Sequence, residues 1–508
     1  MELTTWVLIA SVIIIACVYD YWRKSYFKQR GIPCDTILPF LGHYHKFISG
    51  GFTEFIHRSA KQHGKIFGML LGSSPVVVIG DADILKEILV RKFSSFHNRR
   101  PQAFDDYPVN KALTRLEGAR WKQVRNTITP AFSASKMKPI AALLNDSCDA
   151  LIKHMKAKVA TNPDIEVNEM YGNMTMDCIA KGGFGLQVDS QEDPNDPFVN
   201  HAKAIINMNL LNPRVIIALF LPQVAPIFNF FKIGLTQTKA KKFFMDVTQQ
   251  AMHMRHDKAS KRVDVLQLMV DAQETDDSPA ESEDMPEIAG GEEKGLHRKT
   301  ELTEAEIMAQ SLIFFLAGYS TTTVALSFVS YNLATHPELQ DKLFQEVQEM
   351  APDRDSVNYD TVNKMEYLDK FLSETLRLYP PGIVADRVCQ DSVTVGDFHF
   401  EKGMDIFYNI IGIHYDPDYW EDPEKFDPER FTKEATEKRH PFAYLPFGTG
   451  PRNCIGMRFA LLVLKMAIVR MVQTFQFEPC EQTQIPIKFG KRSVSPDKGI
   501  TLRVVARE

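Results

Sequence analysis

The sequence predicts a mainly α-helical body with small β-sheets, a single domain carried behind one N-terminal membrane anchor. Three observations lead there. Apolar residues recur with helical spacing over 240–270, 302–336, 362–378 and 455–475. Strand-like runs are short, confined to Pro75–Ile79, Val393–Phe400 and Ile500–Val505. The chain also begins with an almost unbroken apolar run. The 508 residues, 44% hydrophobic and 24% charged, have an ordinary globular composition, which excludes wholesale disorder and fibrous repeats. Lys and Arg number 59 against 64 Asp and Glu, a net charge of −5, so there is no electrostatic footprint for nucleic acid. Seven cysteines are scattered without a C-x-x-C pair, which argues against a disulfide scaffold or a zinc ribbon.

Leu3 to Tyr19 is the apolar run, and Arg23, Lys24, Lys28 and Arg30 follow it. A secretory leader carries its positive charge in front and a small-residue cleavage site behind. Here the charge lies behind, so the reading is a retained span with everything after Arg23 on the cytoplasmic side. Residues 1–22 are assigned to the anchor, 23–45 to a basic, proline-containing linker and 46–508 to the body. Two glycosylation sequons, at Asn145 and Asn173, then stay unmodified. A second apolar stretch, Leu210 to Gly234, is broken by Pro213, Arg214, Pro222 and Pro226, which suits short helices dipping into the bilayer surface better than a second span. Within the body, 270–300 turns acidic and poor in apolar residues, as a mobile surface loop would be.

The strongest chemical signal is Phe447-Gly-Thr-Gly-Pro-Arg-Asn-Cys454-Ile-Gly456. A glycine- and proline-built loop delivers a cysteine to the start of an apolar helix, where backbone N–H groups and the helix dipole favour the metal-ligating thiolate. Gly456 would let a flat cofactor approach the backbone. A lone cysteine is more often an inert core residue, but the glycines, Arg452 and the helix start together argue against that here. A dinucleotide loop is excluded because Asn453 stands where the third glycine belongs.

These ten residues resemble the haem-ligand loop of the cytochromes P-450, the haem-thiolate monooxygenases. The resemblance runs from the anchor to the C-terminus. In GPRNCIGMRFAL and PCEQTQIPIK it is similar to the drug- and steroid-oxidising subfamily 3A and its relatives. It implies the cytochrome P-450 fold for the body and haem b as cofactor, with Cys454 as the axial thiolate that pushes electron density onto iron. Other matches follow residue by residue. Glu374 and Arg377 share a helix face and look like the family's ExxR pair, with Arg430 joining from a downstream segment; all three are structural. Trp121 and Arg125, one turn apart, together with Arg99, Arg387 and Arg452, match partners of the haem propionates, and Phe447 joins the cofactor site. Thr303 and Glu306 form a capping box for the 302–336 helix, about 50 Å long. Within it Thr321 resembles the family's oxygen-activating threonine, its hydroxyl able to turn onto the Ala317 carbonyl and open the helix locally. Matching the pocket positions gives Ile313, Leu316, Ala317, Gly382 and Ile383, a lining that suits a lipophilic substrate.

One position departs from the pattern. Ser320 stands where most members carry Asp or Glu, and a serine relays a proton through water without titrating near neutral pH. The resemblance implies insertion of one O₂ atom into xenobiotics, steroids or similar molecules. The electrons would come from NADPH–cytochrome P-450 reductase, with cytochrome b5 as a second donor, at the endoplasmic reticulum membrane. Lys122, Arg125, Arg452, Arg458 and Lys465 form a basic face suited to an acidic flavoprotein. Two alternatives stand beside this reading: a haem-thiolate isomerase or peroxygenase that needs no NADPH, motivated by Ser320, and a non-enzymatic haem ligand-binding protein.

Overall fold

The computed structural model describes residues 3–101, 104, 106–193, 195–206, 211–231, 233–236, 238–256, 264–273, 301–490, 495–496 and 498–507. Most of the acidic loop, 274–300, lies outside the described residues. The elements that place the site are, in chain order, α1 (Leu3–Gln29), β1 (Ile66–Leu71), β2 (Ser74–Ile79), α2 (Gly118–Ile128), α3 (Ala134–Thr161), β3 (Asp164–Glu166), α4 (Val167–Phe184), α5 (Pro213–Phe220), α6 (Ala225–Phe230), α7 (Thr238–His256), α8 (Glu304–Thr335), α9 (Glu366–Leu378), β4 (Val384–Val388), β5 (Val393–Val395), β6 (Phe398–Phe400), β7 (Asp405–Asn409), α10 (Met457–Thr474), β8 (Phe475–Glu478) and β9 (Thr501–Ala506). The architecture is mainly helical with small sheets, as expected.

α8 is the axis of the body. Its capping box is formed in full, Thr303 Oγ1 accepting the Glu306 N–H and the Glu306 carboxylate accepting the Thr303 N–H, and it ends at His336 ahead of Pro337, which cannot continue it. It packs along α4, and small residues set how closely. A Cβ on Gly318 would stand 2.8 Å from Ile179 Cδ1, and one on Gly172 would stand 3.1 Å from the Tyr319 hydroxyl. Around this pair, α3, α9 and α10 close the main apolar core.

The sheets lie at the edges of the helical mass. The larger one has the order β1-β2-β7-β4, with β2 and β7 parallel and the other pairs antiparallel. Arg387 on β4 pairs with Ile406 on β7, which fixes its place in the site described below. β5 and β6 form a separate hairpin, and β3-β9-β8 a third sheet.

Among the described residues two helices are long and apolar enough to cross a membrane, α1 and α8. Only 6% of the most apolar window of α1 is buried, against 50% for α8, so α1 is the candidate anchor. It runs on past Trp22 to Gln29, through the first residues read as linker, and its last third is fastened to the body. Asp20 takes Arg23 at 3.0 Å, Lys24 at 2.7 Å and the Phe40 N–H at 2.9 Å, while Arg23 also donates to the Phe40 carbonyl. Phe27 is buried over Gly68, where a Cβ would meet its ring at 2.3 Å, and Arg30 makes a two-pronged contact with Glu401.

The broken apolar stretch forms α5 and α6, which with the 222–224 turn meet at a 105° bend. Ile227, Phe230 and Phe231 point outward, Phe230 being 82% exposed. The bend is held at both ends. Ser73 donates its N–H (2.8 Å) and its hydroxyl (3.1 Å) to the Leu219 carbonyl, and buried Asp106 accepts from Lys241 Nζ at 2.6 Å and the Thr236 N–H at 2.7 Å. Asn145 is buried in α3 with its amide donating to the Val357 carbonyl, so its sequon cannot be read by glycosylation machinery in the folded protein whichever side of a membrane it occupies.

The Asp20 joint makes a checkable prediction. Asp20→Ala leaves Arg23 buried without its partner and releases the Phe40 turn. Limited proteolysis in detergent should then cut between residues 23 and 30, a segment that stays protected in the parent chain. Equal protection in both would show that Phe27 and Arg30 suffice.

Candidate haem-thiolate site

Cys454 occupies the loop that enters α10, but it does not open the helix as expected. Gly456 is the N-cap and Met457 the first helical residue, so the cysteine lies in the turn before them. Local bonds build that turn. Gly448 (φ +67°) donates to the Leu445 carbonyl at 3.0 Å, Asn453 to the Gly450 carbonyl at 3.0 Å, and Cys454 to the Phe447 carbonyl at 2.9 Å. Gly450 is obligatory on two counts: its φ is +73°, and a Cβ there would meet the Leu89 carbonyl oxygen at 2.0 Å. From outside the loop, Arg125 on α2 grips Asn453, donating to its carbonyl at 2.9 Å and its side-chain oxygen at 2.6 Å.

Cys454 is solvent-accessible, although the surrounding body desolvates its thiol. Burial pushes its thiol up, against the opposing pull of the Gly456 N–H and the Arg125 guanidinium. The loop alone does not make a thiolate; a bound metal ion would deprotonate the thiol outright. On α8, Ala317 and Thr321 are likewise exposed one turn apart, between residues that are partly or fully buried. The Thr321 hydroxyl donates to the Ala317 carbonyl at 2.7 Å, as the sequence suggested. The expected local opening is absent, however, because α8 is continuous through 317–322. Ile313 and Leu316 are partly buried, Gly382 is exposed, and Ile383 is buried, its carbonyl bonded to the Ile411 N–H.

A group of arginines stands near this cysteine. Arg387 is fully buried; its Nη1 donates to the Asp386 carbonyl and its guanidinium lies by Tyr408, while Nε and Nη2 have no hydrogen-bond partner among the described residues. Arg452 donates Nη2 to the Leu116 carbonyl at 2.7 Å and lies 4.2 Å over the Trp121 ring, while its Nε and Nη1 are unpartnered. Arg99 is half-buried, 3.5 Å from Asp386, and Trp121 packs against Phe93. Burial, then the nearby Arg387 and Arg99, push Arg452 down to about 9; burial also lowers Arg387 and Arg125. Concentrated buried positive charge with free donors and one adjoining carboxylate, Asp386, calls for an anion with several acceptor oxygens. Two carboxylates on the edge of a flat macrocycle meet that demand, and at Gly456 a Cβ would meet nothing within 4 Å, which leaves a face open beside the sulphur. The residues fit a haem.

Behind the loop, Glu374 and Arg377 form a fully buried pair (2.7 and 2.8 Å). Arg377 also donates to the carbonyls of His414, Pro423 and Lys425, and the Asp427 N–H donates to Glu374. Arg430 stands 3.4 Å from Glu374 and donates to the Asp422 carbonyl. Burial raises the Glu374 carboxyl despite Arg377 beside it.

The five-residue basic docking face requires correction. Lys122 and Arg458 are exposed, but Arg452 is buried, Arg125 is committed to Asn453, and Lys465 is buried and paired with Asp369 at 2.5 Å. The periodicity of α10 was readable; which of its cations face inward was not, since neighbours far along the chain decide that. Sequence reasoning also missed Arg115, whose guanidinium is lowered by burial and sits within the field of Asp386 and Arg99, and His414, whose only sequence signal was a histidine ending an apolar run. The structure brings Arg99, Trp121, Arg125, Arg387, Arg452 and Phe447 around Cys454 or its loop, and Glu374, Arg377 and Arg430 together behind it.

Two substitutions probe this construction. Gly450→Ala should cost about 1–2 kcal/mol from its left-handed backbone alone, and more from the Leu89 contact, giving a folded protein that fails to retain haem absorbance. Glu374→Ala strands a buried guanidinium and should destabilise by about 3–5 kcal/mol in thermal or denaturant unfolding; a loss under about 1 kcal/mol would show that the pair is dispensable.

The profile of the family described as Cytochrome P450 matches residues 32–504. Full-length relatives include Cytochrome P450 3A6 of Oryctolagus cuniculus (35% identical), Cytochrome P450 3A11 of Mus musculus (36%) and Cytochrome P450 3A2 of Rattus norvegicus (37%), each alignment covering 100% of this chain and 98% of the relative. With the loop geometry, the buried ExxR pair and this agreement along the whole body, the chain belongs to the cytochrome P450 family, the haem-thiolate monooxygenases that use haem b on an axial cysteine.

Proposed function

We propose that the protein is an NADPH- and O₂-dependent monooxygenase of lipophilic substrates, xenobiotics or steroids among them, anchored by α1 in the endoplasmic reticulum membrane with its body in the cytoplasm. Reductase would supply the electrons, with cytochrome b5 as a second donor. The observation that carries this reading is an accessible cysteine in a desolvated loop beside Arg125 and Arg99, with Ala317 and Thr321 of α8 also accessible.

When bound, the haem supplies reductive activation of O₂. The chain's own residues do the rest. Arg99, Arg387 and Arg452 would hold the cofactor's anionic edge, and the free N–H groups of Arg387 and Arg452 would be satisfied as they did so. Ile313, Leu316, Ala317 and Ile383 exclude water and orient an apolar substrate. The proton supply falls to the Thr321 hydroxyl. Its hydrogen is committed to Ala317, so it must rotate to donate and then be refilled through water, since Ser320 cannot titrate near neutral pH. The outward-facing Ile227, Phe230 and Phe231 at the α5–α6 bend suit contact with lipid, which would give membrane-dissolved substrates a short route in.

Reconstitution with reductase and NADPH on a panel of steroids and drugs tests this directly, by product formed per NADPH consumed. Thr321→Val should lower that ratio by about tenfold or more while NADPH is still consumed, and Ser320→Glu should raise it. Turnover supported by peroxide alone, with none from NADPH, would favour the peroxygenase or isomerase reading that Ser320 motivates. Normal reduction with no turnover by either route would favour a haem protein that only binds ligands.

A further inference from the structure

His414 ends a short helix, Ile410–His414, and is fully buried. Both ring nitrogens are engaged. Nε2 lies 2.8 Å from the Leu445 backbone nitrogen and Nδ1 lies 3.0 Å from the Arg377 carbonyl oxygen. A backbone N–H can only donate, so Nε2 is the acceptor, and the tautomer is fixed with Nδ1–H donating to Arg377. The carbonyl of His414 in turn accepts from Arg377 Nη1 at 2.8 Å. The ring is stacked on Tyr444, whose hydroxyl donates to the Ser373 carbonyl on α9. The bonds continue beyond Leu445: its carbonyl accepts the Gly448 N–H, which closes the turn that aims the Phe447 carbonyl at the Cys454 N–H.

We infer that His414 is a positioning residue for the cysteine ligand, the link through which the buried Glu374–Arg377 pair sets the height and orientation of the Cys454 loop. The inference deepens the haem-thiolate reading and rests on it. Burial, with Arg377 beside it, lowers the ring to about 3, so it stays neutral at physiological pH as its acceptor role requires. No other side chain offers one donor and one acceptor on opposite edges of a rigid ring. An apolar residue of similar size would fill the space but leave the Leu445 N–H and the Arg377 carbonyl without partners in a buried place.

The experiment compares His414→Phe, His414→Met and His414→Gln in the full-length haem-loaded protein. Three quantities are read: the thiolate-ligated share of the ferrous–CO Soret spectrum, the rate of haem loss to apomyoglobin, and the melting temperature. The parent's thiolate spectrum is the control for the haem-thiolate reading itself; its absence would overturn that reading before His414 is at issue. The expected result is that Phe and Met lower the thiolate-ligated share and raise haem loss by about 10- to 100-fold, in line with other supports of metal ligands, while Gln, which keeps a donor and an acceptor, recovers most of both. Should Phe not accumulate as folded protein, the contrast between Met and Gln decides the matter in its place. A parent-like spectrum and parent-like haem retention in a folded Phe or Met variant would overturn the inference. So would a Gln variant as impaired as they are, since ring shape rather than hydrogen bonding would then be what matters.

Discussion

The haem side of this protein depends on one buried ion pair. Arg377 commits its donors to Glu374 and to three carbonyls between residues 414 and 425, with Trp420 stacked 4.9 Å from its guanidinium carbon. From β7 to α10 the chain runs for almost fifty residues with only short helical turns to order it. Backbone of that kind has no ladder of its own, and something must satisfy its carbonyls and choose one conformation. Burying two charges is not by itself a net source of stability. What the pair supplies is uniqueness: a fixed, fully occupied guanidinium around which an otherwise irregular segment has a single arrangement.

A second charge cluster, gathered from distant parts of the chain, follows the opposite logic. Arg387 and Arg452 are brought together beside Arg99 with free N–H groups of their own and little countercharge, so burial, and after it the neighbouring cations, pushes both down, and their few hydrogen bonds do not offset the cost of burial. In the protein alone this is destabilising. A dianionic cofactor edge removes the penalty, and coupling of cofactor binding to the stability of the site follows from that difference. The two clusters divide the work: one is satisfied and rigid before the cofactor arrives, the other is completed by it. Cys454 lies between them, held from one side through Phe447 and from the other by the grip of Arg125 on Asn453.

Much of this was legible in the sequence, because some of its signals are local. The Cys454 loop, Glu374–Arg377 and the Thr303–Glu306 cap are each defined by residues within one or two turns, and spacing alone places them on a shared face. The breaks at Pro213, Pro222 and Pro226 likewise announced short helices in an apolar stretch. What spacing could not give is which partner a side chain meets across hundreds of residues. Arg125 and Asn453 are 328 apart, Lys241 and Asp106 are 135 apart, and Arg30 and Glu401 are 371 apart. Lys465 read as a surface cation because helical periodicity does not say that Asp369 and Asn363 pack over it. The expected opening at Thr321 failed for a related reason. The threonine hydroxyl adds a bond to the Ala317 carbonyl without breaking the backbone ladder, and α4, packed closely against Gly318, keeps α8 straight there.

That straightness bears on the chemistry. A helix held shut by its neighbour cannot supply protons from its own backbone, so the polar resource on the cavity side of α8 is the Thr321 hydroxyl, whose single hydrogen is already engaged. Where a carboxyl group follows the tyrosine, a titratable reservoir stands next to that hydroxyl; here Ser320 offers only another hydroxyl, which does not titrate near neutral pH. Two hydroxyls in sequence can pass a proton but cannot store one, so the rate of proton delivery is set by water reaching the cavity rather than by a side-chain pKa. A bulky substrate that displaces this water would slow the proton step just when the substrate is best placed to react, whereas a smaller one would leave the water in place. Under the proposed function, selectivity would therefore have a component that comes from solvent left beside Thr321, in addition to the fit of a substrate against Ile313, Leu316 and Ile383.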